Sequence, residues 1–445
     1  MKIIIAGAGE MGTHLARMLA KERHDIALLD ENDERLRALS NEEILPITGN
    51  PVSFHDLKEA GAGSADLFVS VTPEESVNVT ACMLAARLGV RKTFARINNY
   101  EYMLPGNREF FEGLGISAMI YPEMLVAQEI TTAISRPWTR QYFELLGGAL
   151  VMIGVKIREN SSLINLRLAE LPPETKLYHI VAIKRMDTTF IPNGNSTVMS
   201  GDTVFFTTTK DCVEDVRRQA GKDNPEVKKI FILGGTRIAI RTCQLLPQSI
   251  RVKLIEKDRE KCHRIADMAP DNVLVIHGDG RDHDLLRQEG IEDAQAFVGL
   301  TDSESTNIMS CLTAKRFGGV VKTIAEVENL DYIPLAENMD IGSVVNKKLL
   351  AAGYIYRFLL GSDVANVKIF SFANANVAEL TARAGSKVTR KPVRDLRLPS
   401  DMTLGGLMRN KTPVLIKGDT QIQADDRVIV FCLDAALRRL DEYFG

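Results

Sequence analysis

The sequence predicts an α/β protein with two doubly wound parallel-sheet domains, each followed by a small α+β module. Three observations lead there. First, Lys2-Ile-Ile-Ile-Ala6 runs into Gly7-Ala-Gly9-Glu-Met-Gly12, and Asp30 closes the apolar run that begins after Asp25. A glycine turn between strand and helix, with an acid at that distance, marks a βαβ unit that holds an adenine nucleotide. Second, Lys229–Leu233 runs into Gly234-Gly-Thr236, and Glu256 closes the run from Val252 in the same way. Third, the match between halves continues: Gly49–Asn50 with Gly278–Asp279, Thr72 with Thr301, Glu75 with Glu304, Asn78 with Asn307 and Thr93 with Thr323. Asp30 lies 226 positions before Glu256 and Thr93 lies 230 before Thr323, a near-constant offset that reads as a duplication.

Bulk properties set the class. A chain of 445 residues is too long for one core and suggests roughly three or four units. A charged fraction of 25% and a hydrophobic fraction of 45% argue against disorder, and a net charge of −3 gives no reason to expect a nucleic-acid partner. Cysteines 82, 212, 243, 262, 311 and 432 are scattered without framework spacing, the pattern of free thiols in a reducing compartment. The longest unbroken apolar run, Leu146–Val155, is about half of the ~20 residues a membrane span needs. The opening Met1-Lys-Ile-Ile-Ile5 mimics a signal sequence, but glycines and Glu10 interrupt it. Any work at a membrane is therefore expected to proceed by docking.

In the first half, Lys2–Ala6 is a continuous apolar run that suits a strand buried on both faces of a parallel sheet. Gly7 makes the tight turn, Gly9 lets the backbone approach a pyrophosphate, and Gly12 lets the helix expected over Thr13–Lys21 pack close to the strand. Phosphates would sit on unpaired N–H groups at the positive end of that helix, around Ala8, Glu10 and Met11. Asp30 is placed to accept from ribose hydroxyls. The acidic stretch Glu31-Asn-Asp33, with no arginine until Arg35, would repel a 2′-phosphate and disfavours NADP.

Three further strands are expected: Leu45–Ile47 leading to Gly49–Asn50, Leu67–Val71 leading to Thr72–Pro73, and Thr93–Ile97 carrying Arg96. Strand ends on one side of an open sheet share a crevice, so Asn50, Thr72, Pro73 and Arg96 could all reach a bound nucleotide. Arg96 is the only basic residue of this set and could pair with a phosphate. Two plainer readings stand beside these: Thr72 capping the helix that begins near Glu74, and Arg96 only neutralising Glu75.

Residues 121–145 interrupt the βα rhythm. Tyr121–Pro122 opens a helical stretch, Met124–Ile134, that stops at Arg136–Pro137, and Trp138, Tyr142 and Phe143 follow. The segment reads as a crossover that swaps contacts between subunits or domains, or as a linker whose aromatics cover an exposed edge. From Gly147 come short alternating segments, Ala149–Ile157, Tyr178–Arg185 and Thr203–Thr207, then a short helix from Cys212, the pattern of a small α+β module. The expected domains are 1–135, 146–222, 227–350 and 362–445.

The second glycine turn is worn. Thr236 replaces the second glycine and Ala239 the third; alanine is tolerated at the third place, but a Cβ at the second stands where a pyrophosphate approaches, unless the Thr236 hydroxyl takes part. Glu326 matches Arg96, a reversal of charge that opposes a phosphate. Glu256 and Asp279 keep the ribose- and adenine-facing ends acidic, and Arg237 adds a positive charge. A second nucleotide on Gly234, Gly235, Thr236, Arg237, Ile238, Glu256, Asp279 and Thr301, and a degenerate structural half, both fit these residues. His277-Gly-Asp279-Gly-Arg-Asp282-His283 matches no standard ligand spacing, and no metal is expected. The basic run Lys387–Arg397 reads as a solvated face, or as a docking surface for an acidic partner or anionic headgroups.

This order of nucleotide unit, small module, nucleotide unit, small module resembles the regulatory subunits of Trk-type bacterial potassium uptake systems, the TrkA family of tandem RCK domains. The resemblance covers essentially the whole chain. It rests on Gly7–Gly12 with Asp30, Thr72-Pro-Glu-Glu-Ser-Val-Asn78, Ala95-Arg96-Ile97, the weaker second set, and the turn Gly201-Asp202-Thr-Val204. It implies two Rossmann-like domains in a peripheral cytoplasmic protein at the inner face of the plasma membrane. It further implies a ring, generally a homotetramer, docked beneath a membrane potassium transporter (TrkH-like). NAD(H) foremost, or ATP or ADP, would bind the glycine sites and switch the ring to gate ion flow.

The residues themselves support the non-catalytic part of this picture. A dehydrogenase needs a proton-handling group beside the nicotinamide and a domain that encloses substrate. The Lys, His and Tyr residues form no such constellation, and the small modules are too plain to enclose a substrate. An NAD-dependent oxidoreductase and a nucleotide-binding interaction scaffold are the alternatives.

Overall fold

Four apolar residues in a row leave a strand no face to turn to water, and β1 (Lys2–Ala6) runs through the middle of a sheet with Ile3 to Ala6 fully buried. Around it lie β2 (Asp25–Asp30), β3 (Ile44–Thr48), β4 (Leu67–Ser70), β5 (Lys92–Arg96) and β6 (Ala118–Ile120). All pairs are parallel, in the order β3-β2-β1-β4-β5-β6. The order reverses between β1 and β4, which opens a crevice at the carboxyl ends of the strands. The sixth strand has no counterpart among the expected strands because its three residues carry too short an apolar pattern. The helix Glu10–Ala20 buries Met11, Leu15, Ala16 and Leu19 at amphipathic spacing. It starts earlier than expected because the Gly9 carbonyl already accepts the Thr13 N–H at 2.9 Å; the expected end at Lys21 lies outside the described residues.

This is a computed structural model. It describes the chain except residues 21–23, 38, 40–42, 172–176, 361–366, 371–374, 434–435, 437–438 and 445, and only the backbone of 356–357, 359–360, 367–370 and 441. The expected start of the last module at 362 therefore lies outside the described residues.

The first small module is an antiparallel sheet of β7 (Gln141–Leu145), β8 (Leu150–Lys156), β9 (Tyr178–Arg185), β10 (Thr188–Phe190) and β11 (Thr203–Thr209), in the order β10-β9-β11-β8-β7. The second half repeats both architectures. Its parallel sheet comprises β12 (Lys229–Leu233), β13 (Arg251–Glu256), β14 (Val273–His277), β15 (Ala296–Gly299), β16 (Lys322–Glu326) and β17 (Ser343–Val345), in the order β14-β13-β12-β15-β16-β17. Its module comprises β18 (Val367–Phe370), β19 (Ala375–Thr381), β20 (Met402–Arg409), β21 (Thr412–Leu415) and β22 (Arg427–Leu433), in the order β18-β19-β22-β20-β21.

The duplication extends to side chains. Arg185 grips Asp202 through Nε and Nη2 at 2.9 and 2.8 Å, and Arg409 grips Asp426 likewise at 2.9 and 2.5 Å. Each forked pair closes the turn before the last strand of its module. The two modules also share a core: Leu145, Leu150, Met152, Val181 and Phe205 of the first pack with Val377, Ile429 and Phe431 of the second.

By contacts the chain divides into Met1–Leu125 with Lys347–Leu359, and Val126–Asn346 with Leu360–Gly445. The division falls inside the helix Pro122–Ser135 and returns at the helix Lys347–Leu360, so the expected boundary at 350 cuts through a helix. In the first unit, Tyr354 and Phe358 stand edge-on to Phe94 of β5 at 6.2 and 5.3 Å, and Lys348 pairs with Glu10. In the second, Glu129 acts electrostatically on Lys322 at the start of β16. Most of the helix that follows each parallel sheet is thus grouped with the sheet of the other half, a crossover within one chain. Among the described residues no helix is long and apolar enough to cross a membrane.

Candidate nucleotide crevices

At the first crevice the three glycines do three different jobs. Gly7 sits at φ +105°, in the left-handed region, where a Cβ would press within 3.0 Å of the Thr72 nitrogen. At Gly12 a Cβ would lie 1.9 Å from the Gly7 carbonyl oxygen, so helix and strand touch backbone to backbone. At Gly9 a Cβ would meet nothing within 4 Å, which leaves open space over the turn. Glu10 is engaged by Lys348, and the Met11 side chain is buried in the core, so only the backbone of Met11 faces the turn.

Asp30 holds this turn from β2. Its Oδ2 accepts the Ala8 N–H at 2.6 Å and its Oδ1 the Asn32 N–H at 2.8 Å, with Arg35 at 4.0 Å. A carboxylate offers about four acceptor sites, so capacity remains for hydroxyl donors. Asn50 donates its N–H to Asp56 at 2.7 Å and accepts the Val52 N–H at 2.8 Å, a closed turn at the end of β3. The Asp56 carboxyl is held below its ordinary value by that N–H first and then by His55.

Asn78 organises the ends of β4 and β5, a role beyond its place in the repeat match with Asn307. The buried amide accepts the Thr72 N–H at 2.9 Å and donates to the Thr72 and Arg96 carbonyls at 3.0 and 2.9 Å. Thr72 does not cap the following helix. Glu74 is the residue before Glu75–Arg87, and the Thr72 hydroxyl meets Asn78 Oδ1 at 2.8 Å. Nor does Arg96 neutralise Glu75: among the described residues they form no ion pair, and Glu75 Oε2 instead accepts the Asn98 and Asn99 N–H groups at 2.6 and 2.7 Å. Arg96 Nε is buried without a hydrogen-bond partner. The Pro73 carbonyl accepts from Asn98 at 3.1 Å, which ties down the loop beside it. An orphaned guanidinium N–H and an open glycine turn fit an anionic, phosphate-bearing group.

The second crevice keeps the frame and alters the lining. Gly234 has φ +96°, and Glu256 Oε2 accepts the Gly235 N–H at 2.8 Å, as Asp30 does for Ala8. Asn307 repeats the clip, accepting the Thr301 N–H at 2.8 Å and donating to the Glu326 carbonyl at 3.0 Å. The Thr236 hydroxyl accepts from the Ala239 N–H at 3.4 Å, so it caps the helix Arg237–Leu245. Ile238 is buried and Arg237 is exposed. Glu256 also accepts the Asp258 N–H at 3.0 Å and pairs with Lys261 at 3.2 Å. Burial works to raise its carboxyl, yet the Asp258 and Gly235 N–H groups and Lys261 hold it below its ordinary value. Asp279 is forked by Arg281, whose hydrogen bonds pull the acid down to about 2. With Glu326 buried where the first half has Arg96, this crevice has fewer acceptor sites to spare and, among the described residues, no buried cation left without a hydrogen-bond partner.

The remaining motifs have local tasks. Asp282 caps the helix His283–Gln288, and His277 Nε2 lies 3.2 Å from the Lys257 carbonyl. In the basic run, Lys387, Arg390, Lys391, Arg394 and Arg397 are exposed, and Lys387 lies 3.7 Å from Glu442.

The chain matches the TrkA-N domain over residues 3–122 and 230–347 and the TrkA-C domain over 152–221 and 377–445. It is 30% identical to the Trk system potassium uptake protein TrkA of Halomonas elongata over 98% of this chain and 96% of that one. It is likewise 30% identical to the Haemophilus influenzae protein of the same name, over 98% and 96%. Among solved structures, the GsuK RCK domain superimposes with a TM-score of 0.61 at 16% identity, covering 100% of this chain and 94% of that one. The GsuK channel bound to NAD gives 0.61 at 16%, covering 100% and 78%, and GsuK bound to ADP gives 0.51 at 15%, covering 80% and 69%. At those identities the likeness is one of fold: two Rossmann-like domains with their small modules. The chain belongs to the TrkA family of Trk potassium uptake proteins, with TrkA-N and TrkA-C domains in tandem.

Proposed function

We propose that this protein is the nucleotide-responsive regulatory subunit of a potassium uptake system, and that ligand at the first crevice gates a membrane transporter. The observation that carries this reading is Arg96 Nε, buried and unpartnered at the carboxyl end of β5, on the same side of the sheet as the glycine turn that leaves room over Gly9. Gly7, Ala8, Gly9, Glu10 and Met11 would present backbone to a pyrophosphate. Asp30 would take the ribose, and Arg96 would take a phosphate, with Asn50, Thr72 and Pro73 shaping the walls. NAD(H) is the first candidate, in keeping with family membership and with a GsuK structure bound to NAD; ADP or ATP is the second.

The output is conformational rather than chemical. In this reading the chain assembles as a homotetrameric ring, sits at the inner face of the plasma membrane and docks on a TrkH-like transporter. Ligand shifts the ring between packed states. Calorimetric titration of NADH, NAD, ADP and ATP with stoichiometry identifies the ligand. Deletion of the gene in a strain lacking other potassium uptake routes is expected to prevent growth at low external potassium. Undiminished growth there overturns the regulatory reading, and steady hydride transfer by the purified protein would favour an oxidoreductase instead.

A further inference from the structure

A second concentration of charge lies at the opposite end of the second parallel sheet. Lys322 opens β16 and Ser343 opens β17, at the amino ends of the strands, whereas Glu326 and the glycine turn mark the carboxyl ends. Five residues of strand, at about 3.3 Å each, separate the two ends. Here a cavity of about 280 Å³ is walled by Arg140, Lys156, Arg158 and Lys222 of the first small module and its flanks, and by Lys315 and Lys322 of the second nucleotide-type domain.

Six cations gather here with Asp223 and Asp340 beside them, while Glu337 acts electrostatically on Arg140 and Lys156, and Glu129 on Lys322. Asp340 serves three of them, pairing with Arg140, with Arg158 at 2.5 Å and with Lys315 at 3.1 Å, and Asp223 is the acid on the wall. Lys322 is 3% exposed and donates to the Thr139 carbonyl at 2.6 Å and the Ser343 hydroxyl at 2.9 Å, which uses two of its three N–H bonds. Among the described residues, the ammonium groups of Lys156 and Lys222 have no hydrogen-bonded or ion-paired partner. Burial, and then Arg158 and Arg140, press the Lys222 ammonium down to about 8, and burial with Arg140 presses Lys322 to about 7. Such a wall is costly to hold together without a counter-charge.

We propose that this cavity is a binding site for a multivalent oxyanion, an inorganic phosphate or pyrophosphate or the phosphoryl tail of a nucleotide. The anion would bridge Lys156 and Lys222 to Lys322 and so fasten the first small module to the second nucleotide-type domain. The site is independent of the first crevice. The phosphoryl group is what the site recognises, because most of the polar side chains on the wall are cations; Trp138 lines it as well.

The test uses the full chain at pH 8, with sodium pyrophosphate titrated calorimetrically and followed by thermal unfolding against sodium chloride at matched ionic strength. Saturable binding is expected, with an enthalpy that depends on the buffer because Lys222 and Lys322 take up protons as the anion arrives. The double variant Lys156→Gln, Lys222→Gln removes two unpartnered charges and is expected to fold at least as stably as the parent, yet to bind pyrophosphate at least tenfold more weakly. Arg96→Gln, in the first crevice, is expected to leave this binding intact. Stabilisation no greater than that of chloride, equal affinity in the double variant, or loss in Arg96→Gln alone would each overturn the proposal. In Arg96→Gln protein, ADP that displaces pyrophosphate supports the site with a nucleotide tail as ligand. ADP that fails to displace it supports the site with the free inorganic anion.

Discussion

Gly9 and Gly12 are three positions apart, yet a methyl group added to each meets opposite surroundings, open space over the turn and a carbonyl oxygen at 1.9 Å. Gly9→Val should therefore fold with an unchanged unfolding temperature and lose nucleotide at the first crevice. Gly12→Ala should lose about 1–3 kcal/mol of stability through overpacking, seen as a lower unfolding temperature. Asp30→Ala should weaken nucleotide by about 1.5–3 kcal/mol, roughly ten- to a hundredfold by calorimetry. An unchanged affinity removes Asp30 from the site. In the second half, Thr236→Gly combined with Glu326→Arg should strengthen binding about tenfold. Two equal, independent sites in the parent chain would contradict the asymmetry. Glycines and acids were legible because a turn at positive φ and a carboxylate after the second strand leave few choices of residue. The orphaned Arg96 Nε was not, since burial and the engagement of Glu75 by Asn98 and Asn99 depend on how three strand ends meet.

Elements decide who covers whom. Ile355 is fully buried in the helix Lys347–Leu360, which is grouped with the first sheet although it follows the last strand of the second. Ile355→Ala should cost about 2–5 kcal/mol, and hydrogen exchange should show the loss in β5 rather than in β16. His179 on β9 tests the shared core of the modules. Its Nδ1 is buried without a partner, and burial pushes the imidazole from 6.5 down to about 4, against a hydrogen bond to the backbone of Ile416. The folded value lies below the unfolded one, so the unfolded chain binds more protons between those values. The contribution is full above about pH 6.5 and is lost as pH falls through about 4. Acid unfolding over that window should flatten in His179→Phe; an unaltered acid limb would place the sensitivity elsewhere.

At the scale of the whole molecule, two nucleotide-type domains and a shared module core suit a protein whose product is a change of shape. A ligand that favours the conducting state must bind that state more tightly. A tenfold preference is about 1.4 kcal/mol per site, and several sites in the proposed ring would make a usable switch. Gly9→Val protein should accordingly remain folded and attached to its transporter but fail to restore growth at low potassium in the deletion strain. Restoration of growth by a variant shown by calorimetry to bind no nucleotide would separate potassium uptake from the crevice.

Local pattern was enough for the architecture. Apolar runs of strand length, glycine turns, acids at the right remove and a steady offset between halves specify two parallel sheets with small modules, because each is set by a residue's own backbone preferences and its near neighbours. Its limits show in the helices Pro122–Ser135 and Lys347–Leu360, of equal length, whose sequences do not say which sheet each will cover. The same holds for Leu150 and Val181 against Ile429 and Phe431, and for the six cations that meet beside Asp340. Hydrophobic attraction is non-directional, and charges hundreds of residues apart carry no mark of their eventual neighbours. Only the packed chain decides those pairings.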